Sequence, residues 1–150
     1  MKKQYMSWDL FEDAIEELCQ KIVRSGFQFK NIYGIPRGGL IPAVMLSHKL
    51  EIPFTQELSL YERVTLVVDD ICDTGNTLQK YISLGFPTAT LYLRSNCEIR
   101  PTFIFDTVND EYISFPWEDV DAEPIVDYLN SPTNKREVIL KEILKDMNSY

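Results

Sequence analysis

The stretch that most constrains the fold is residues 64–78, VTLVVDDICDTGNTL. It begins as an apolar, β-branched run, which is typical of a strand buried on both faces of a parallel sheet. We predict that this strand covers residues 64–68 and that it ends at two adjacent carboxylates, Asp69 and Asp70. A helix is predicted at residues 78–84. The stretch therefore forms a strand–loop–helix unit with acidic residues at the end of the strand.

The loop inside this unit has the chemistry of a phosphate site. Ligands of open α/β sheets bind beyond the carboxyl ends of the strands, and a helix N-terminus offers unpaired N–H donors and a positive dipole end. Thr74 and Thr77 add hydroxyl donors, and Gly75 lets the backbone close around an anion. The carboxylates would repel a bare phosphate unless they bind hydroxyls or a hard cation such as Mg²⁺. The predicted ligand is a phosphorylated sugar with free hydroxyls.

Residues 67–77 resemble the phosphoribosyl-pyrophosphate (PRPP) signature of the type I phosphoribosyltransferases. That signature consists of apolar residues, two acids, a short spacer and then Asp-Thr-Gly-x-Thr. An ordinary buried strand followed by an Asp-rich turn is the alternative, and a lone Asp-Asp pair would favour it. The length of the matching pattern favours the family.

A second glycine turn lies upstream, at residues 36–39, PRGG. It stands between a predicted strand at residues 31–35 and a predicted helix at residues 40–50. An Arg before paired glycines at a helix N-terminus suits an anion, although the same residues also suit a plain tight turn. Upstream of the acidic motif, the turn resembles the family's pyrophosphate loop, which often contains a non-proline cis peptide.

The rest of the chain alternates predicted strands with predicted helices. These are a helix capped by Ser7 and closed by Gly26, strands at residues 89–94 and 102–108, and a C-terminal amphipathic helix at residues 132–147. The alternation implies right-handed βαβ units. We predict an α/β fold with a mostly parallel twisted sheet flanked by helices, as a single phosphoribosyltransferase domain over residues 1–150 with a reduced hood.

A later segment narrows the resemblance to one branch of the family. Residues 112–118, YISFPWE, resemble the aromatic-Ile-x-x-Pro-Trp-acid segment of the bacterial xanthine-guanine phosphoribosyltransferases and their archaeal relatives. Residues 7–9, SWD, and residues 36–42, PRGGLIP, are similar to that branch too. The resemblance covers the chain up to about Glu118. It implies transfer of the 5-phosphoribosyl group from PRPP to a purine base, which gives a nucleoside 5′-monophosphate and pyrophosphate.

The resemblance also implies roles for single residues. Asp73 would act as general acid or base near N7 of the purine, and Asp69 and Asp70 would bind the ribose hydroxyls and Mg²⁺. Tyr112 would stack on the base while the backbone of Ile113 meets its edge. Simple core packing of Tyr112, Phe115 and Trp117 is the alternative. The residues that would hold the pyrophosphate and the 5′-phosphate of PRPP are Arg37, Gly38, Gly39, Thr74, Gly75, Asn76 and Thr77.

Two features depart from the family pattern. Arg94 stands where the family has a Lys that contacts the exocyclic oxygen of the purine. The positive charge of Arg94 keeps the preference for 6-oxopurines. Its planar, forked guanidinium, however, does not substitute for the point charge of a lysine ammonium. The long loop that closes over PRPP is absent or reduced to residues 57–63. Such a lid excludes water and completes the site. A PRPP- or nucleotide-binding regulator with little transferase activity, or a transferase for another nucleobase, therefore stays open as an alternative.

Composition excludes several other classes. The net charge of −8 argues against non-specific nucleic-acid binding, and no stretch approaches the ~20 apolar residues that span a bilayer. The cysteines, Cys19, Cys72 and Cys97, lack metal-binding spacing and predict a reducing, cytoplasmic setting. We expect small-molecule substrates, no nucleic-acid or membrane partner, and a homo-oligomer (dimer or tetramer).

Overall fold

The computed structural model describes residues 2–61, 64–118 and 134–147. Two compact units are present, Met1–Val120 and Asp121–Tyr150, and a single domain over the whole chain stays a prediction. In chain order the elements are β1 (Lys3–Tyr5), α1 (Trp8–Ser25), β2 (Asn31–Gly34), α2 (Leu40–Leu50), β3 (Phe54–Thr55), β4 (Thr65–Cys72), α3 (Asn76–Ser83), β5 (Thr88–Arg94), β6 (Phe103–Val108), β7 (Tyr112–Ser114) and α4 (Asn134–Met147).

The main sheet has the predicted parallel character. Its five strands lie in the order β3-β2-β4-β5-β6, and each neighbouring pair is parallel. The acidic strand β4 is the central one, because β2 and β5 pair with its two edges. The α/β fold class and the flanking helices predicted from the sequence are confirmed.

The central strand is buried on both faces, as its apolar run predicts. Leu66 and Val68 pack in the core on the face covered by α1 and α2, whereas Val67 packs with Leu78 of α3 on the opposite face. Leu66, Val67 and Val68 have no exposed surface. Because successive side chains of a strand point to opposite faces, a two-sided core requires a continuous apolar run.

The strand β4 does not end where the sequence suggested. The prediction stopped it before Asp69, yet the strand includes both carboxylates and ends at Cys72. The reason is that β5 continues the ladder to the pair Cys72↔Leu93, while pairing with β2 ends at Gly34↔Val68. The acidic pair therefore lies on a strand that β5 pairs on one side, and the turn after β2 reaches it from the other.

Helix boundaries follow the caps. The Ser7 hydroxyl accepts a hydrogen bond from the Leu10 N–H at 3.1 Å, and Gly26 ends α1 with φ of 81°, as predicted. Helix α2 has the predicted bounds. Helix α3, in contrast, begins at Asn76 rather than Leu78, because Gly75 already occupies its N-cap position. Residues 76 and 77 therefore belong to the first turn of α3 instead of the loop.

A small second sheet was not predicted. Strand β1 pairs in parallel with β7 in the register Gln4↔Ile113, and the Tyr112 N–H donates to the Lys2 carbonyl at 2.8 Å. Residues 3–5 have no apolar alternation, so only the partner strand stabilises them as a strand. This pairing fixes the segment to which the resemblance assigns base binding.

Next to this sheet lies an aromatic cluster. Phe115 stacks on Trp117 with ring centroids 5.0 Å apart, and Trp117 meets Phe11 edge-on at 5.4 Å. Phe115 is buried. For these two aromatic residues of the segment 112–118, the core-packing alternative is confirmed.

The helix α4 coincides with the predicted C-terminal helix, except that residues 132 and 133 lie outside the described residues. None of the helices in the described ranges combines the length and the apolar character that a membrane span requires.

Candidate active site

The glycine turn at residues 36–39 lies against the acidic end of β4. A Cβ added to Gly38 would overlap the Asp70 carboxylate, and one added to Gly39 would overlap the Val68 carbonyl oxygen. Only a residue without a side chain allows backbones and carboxylates to approach so closely. The structure thus brings the predicted pyrophosphate turn into direct contact with the acidic strand β4 at the carboxyl edge of the sheet.

The same turn carries the cation predicted to bind pyrophosphate. The peptide bond between Pro36 and Arg37 is cis, in agreement with the resemblance to the family's pyrophosphate loop. Burial raises the pKa of the Glu118 carboxyl group, and the positive charge of Arg37 offsets a part of that rise.

The two carboxylates of the pair share one desolvated environment. The Asp70 N–H donates to Asp69 Oδ1 at 2.9 Å, and the Ile71 N–H donates to Asp70 Oδ1 at 2.7 Å. Burial, followed by the neighbouring charge of Asp70, raises the pKa of Asp69 to about 8. Burial raises the pKa of Asp70 too. A ligand that supplies hydroxyl donors or positive charge would therefore stabilise the ionised pair.

This donor set fits Mg²⁺. Hard cations prefer carboxylate oxygens, and Mg²⁺ in particular is bound by one or two carboxylates together with waters and substrate phosphates. Within residues 2–61, 64–118 and 134–147, no cluster of three or more metal-ligating side chains is present. Asp69 and Asp70 would hold the ion jointly with oxygens of the ligand.

The predicted 5′-phosphate residues surround a pocket at the start of α3. Thr74, Gly75 and Thr77 line it together with Asp69 and Asp73, whereas Asn76, the fourth predicted residue, is not part of the lining. Gly75 has φ of 87°, the left-handed region that favours glycine. A helix N-terminus of this kind directs its first N–H groups towards an anion.

The loop also has a tight neighbour and an internal hydrogen bond. A Cβ added to Gly75 would lie 2.5 Å from Ile99 Cγ1. The Thr74 hydroxyl accepts a hydrogen bond from the Asn76 N–H at 3.2 Å. These contacts define the shape of the loop around the pocket.

Arg94, at the end of β5, contacts two other parts of the site. Its Nε donates to Asp73 Oδ1 at 3.0 Å, and its Nη1 donates to the carbonyls of Asn109 and Glu111. The Arg94 side chain is only 12% exposed, whereas that of Asp73 is 63% exposed. The predicted acid or base is therefore held on one side and open to solvent on the other.

The predicted base-binding segment is oriented by the small sheet. The Tyr112 N–H and the Ser114 carbonyl both bond to the β1 side, to Lys2 and Met6 respectively. Alternate residues of a strand direct their backbone groups to opposite sides, so the N–H and carbonyl of Ile113 point away from β1. The Ile113 side chain is buried, which leaves its backbone as the part suited to meeting a ligand.

Glu118 is a site residue to which the sequence assigned no role. It accepts a hydrogen bond from the Tyr112 hydroxyl at 3.2 Å. Burial raises the pKa of Glu118, and the charge of Asp70 raises it further, while the Tyr112 hydrogen bond lowers it. The acidic residue at the end of the segment 112–118 was the sequence signal that could have identified Glu118.

The predicted lid remnant, residues 57–63, extends beyond the described residues, which omit 62 and 63.

Known proteins resemble the chain over most of its length. It is 31% identical to a xanthine-guanine phosphoribosyltransferase of Idiomarina loihiensis over 140 residues, 76% of this chain and 86% of the relative. It is 31% identical to the xanthine-guanine phosphoribosyltransferase of Chromohalobacter salexigens, over 84% of this chain and 91% of that one. No protein-family model matches.

Solved structures give the same result. A purine phosphoribosyltransferase from Pyrococcus horikoshii superposes with a TM-score of 0.68 at 30% identity. The superposition covers 85% of this chain and 99% of that structure.

Proposed function

The chain belongs to the type I phosphoribosyltransferases, and on that premise we propose which residues perform the reaction and which purine they accept. The protein is an enzyme that transfers the 5-phosphoribosyl group of PRPP to a purine base. The proposal is that the base is a 6-oxopurine and that Mg²⁺ accompanies PRPP.

The observation that carries the proposal is the contact between the glycine turn and the acidic strand. Gly38 lies directly against the Asp70 carboxylate. The pyrophosphate of PRPP would lie over residues 36–39 and its 5′-phosphate over residues 74–77, with the ribose hydroxyls between them on Asp69 and Asp70. This order along the protein matches the order of groups along PRPP.

Catalysis then requires mainly positioning. The base attacks the anomeric carbon of the ribose as pyrophosphate departs, and the protein aligns the reacting atoms. Asp73 accepts or donates the proton of the base, and its exposed face gives it access to the ligand. The N–H groups of residues 36–39 stabilise the departing pyrophosphate, whereas those of residues 74–77 hold the 5′-phosphate, which stays on the ribose. Mg²⁺, when bound, supplies charge neutralisation for the pyrophosphate.

The base would lie against Tyr112, with the backbone of Ile113 at its edge. The positive charge of Arg94 favours an exocyclic oxygen over an exocyclic amine, which supports a 6-oxopurine. The three thiols are free cysteines, in agreement with the predicted cytoplasmic setting. That setting and the homo-oligomer stay predictions.

The test is a transfer assay with Mg²⁺-PRPP and guanine, xanthine, hypoxanthine, adenine and uracil, in which nucleotide and pyrophosphate are both measured. We expect equal amounts of the two products with at least one 6-oxopurine, and loss of both when Mg²⁺ is chelated. Turnover of adenine or uracil alone would contradict the base assignment. PRPP binding without any product would favour the regulatory alternative.

A further inference from the structure

Arg94 makes more hydrogen bonds to the protein than a residue that only binds a purine oxygen would need. A guanidinium has five N–H donors in a fixed fork. Its Nε–H is directed to Asp73, and Nη1 is directed to the carbonyls of Asn109 and Glu111. Three hydrogen bonds therefore join Arg94 to the described residues, and within that part of the chain Nη2 is the nitrogen left for a ligand.

These partners belong to segments distant in sequence. Asp73 precedes α3, whereas Asn109 and Glu111 form the connection between β6 and β7. Glu111 immediately precedes Tyr112, and the purine base is proposed to stack on the Tyr112 ring. Arg94 thus joins the proposed acid or base to the segment against which the base would lie.

We propose that Arg94 is a positioning residue that fixes Asp73 relative to Tyr112, in addition to any contact with the purine. The proposal rests on the proposed function, because Asp73 and Tyr112 have their roles only in phosphoribosyl transfer to a base. The charge-assisted bond holds the Asp73 carboxylate in one orientation, and the two carbonyl bonds hold the loop from which Tyr112 projects.

A lysine could not maintain this arrangement. Its ammonium is a point charge on a flexible stem, so its donors diverge from one nitrogen atom. The fork reaches Asp73 and the loop from different nitrogens of one rigid plane. We therefore expect Arg94→Lys to keep the positive charge and lose the alignment.

The experiment compares Arg94→Lys and Arg94→Met with wild type in steady-state transfer to a 6-oxopurine. Misalignment by about 1 Å can cost roughly a hundredfold in rate. We expect both variants to lower kcat by roughly tenfold to a hundredfold and to raise the KM of the base, while the KM of PRPP stays unchanged. Arg24→Met, at an exposed arginine of α1, is the matched control and should keep wild-type values.

Combining Arg94→Lys with Asp73→Asn distinguishes a role of Arg94 in positioning Asp73 from a role in recognising the purine. If Arg94 acts through Asp73, Arg94→Lys should lower kcat far less in the Asp73→Asn background than in wild type. Full kcat in Arg94→Lys, with altered preference between hypoxanthine and adenine as the sole effect in Arg94→Met, would overturn the proposal. So would strictly independent effects of the two substitutions.

A readout without catalysis keeps this proposal distinct from the proposed function. Amide hydrogen exchange over residues 109–112 should accelerate in Arg94→Met, because two of the carbonyl bonds that hold this loop are lost. Unchanged exchange in residues 109–112 would refute the proposed positioning role of Arg94 even in an active enzyme. Faster exchange in a protein that lacks transferase activity would refute the proposed function and retain the contact.

Discussion

The PRPP side and the base side of the site are built in different ways. On the PRPP side, the acidic pair, the phosphate loop and the first turn of α3 follow one another within residues 69–78. On the base side, the segment 112–118 depends on partners elsewhere: the Tyr112 N–H donates to the Lys2 carbonyl, and Arg94 holds the loop before Tyr112. Apart from the turn at residues 36–39, which packs against Asp70, the first is local, whereas the second is assembled by tertiary contacts.

This difference has energetic consequences. A local strand–loop–helix unit keeps its geometry as long as its own strand and helix stay packed, and β4 is buried on both faces. The base segment loses its geometry when any of several distant contacts is lost. Substitutions on the PRPP side should therefore act on single steps, whereas substitutions on the base side should act on affinity and alignment together.

The largest effect is expected where the two sides meet, at Asp73. Asp73→Asn removes the proposed proton acceptor and should lower kcat by roughly 10²- to 10⁴-fold, while PRPP affinity changes little. Steady-state kinetics and calorimetry measure the two quantities. Asp13→Asn, at an exposed position of α1, is the control. Wild-type turnover in Asp73→Asn would remove this residue from the mechanism.

On the PRPP side, the acidic pair should account for most ligand stabilisation. Binding stabilises the folded state by about 2.7 kcal/mol at a ligand concentration a hundredfold above Kd. We expect the double variant Asp69→Asn/Asp70→Asn to lose most of this gain in thermal melts with Mg²⁺-PRPP. A shift in Tm as large as that of wild type would show that the pair does not bind the ligand.

The same double variant tests the charge of the pair without ligand. Folding raises the pKa of Asp69 from 3.8 to about 8, so between these values the native protein holds a proton that the unfolded chain releases. This stability contribution is present at low pH and is lost as pH rises through that window. With a chelator present, the free energy of unfolding should fall more steeply from pH 5 to pH 8 in wild type than in the variant. Parallel slopes would contradict the raised pKa.

On the base side, the ring of Tyr112 should contribute to the affinity for the purine and much less to the affinity for PRPP. Stacking contributes about 1–3 kcal/mol per base in nucleic-acid complexes. We therefore expect Tyr112→Ala to weaken the purine by roughly ten- to a hundredfold and PRPP much less, as measured by calorimetry. Equal losses for both substrates would indicate that Tyr112 acts through the fold.

The smallest effect is expected from Tyr112→Phe. This change keeps the ring and removes the hydroxyl that donates to Glu118. A hydrogen bond of this kind contributes about 0.5–1.5 kcal/mol, so purine affinity should fall by no more than roughly tenfold. A loss as large as that of Tyr112→Ala would assign the role to the hydroxyl and its acid partner instead of the aromatic face.

A further outcome concerns the lid, which the sequence predicts to be absent or reduced to residues 57–63. If no other segment covers the site, water should compete with the base for PRPP. We expect free ribose 5-phosphate to accumulate in transfer assays, more with Tyr112→Ala than with wild type. Transfer without detectable hydrolysis would indicate that another segment or a partner subunit supplies the lid.

The amino-acid sequence by itself determined the local features of this protein. The continuous apolar run before Asp69 can be buried only on both faces of a sheet, so it fixed a central parallel strand. The caps at Ser7 and Gly26 fixed the ends of α1, since capping depends on residues within one turn. The order of acids, glycine and hydroxyls in residues 69–77 indicated the ligand class for the same reason.

Only the tertiary structure decided what depends on distant partners. The extension of β4 through the acidic pair required β5 as its neighbour, and β1 became a strand because β7 lies beside it. The contacts of Arg94 with Asp73 and with the loop before Tyr112 join residues separated by 15 to 21 positions. Such contacts leave no periodic pattern in the sequence, because they depend on the relative placement of strand ends, which the packing of the whole sheet sets.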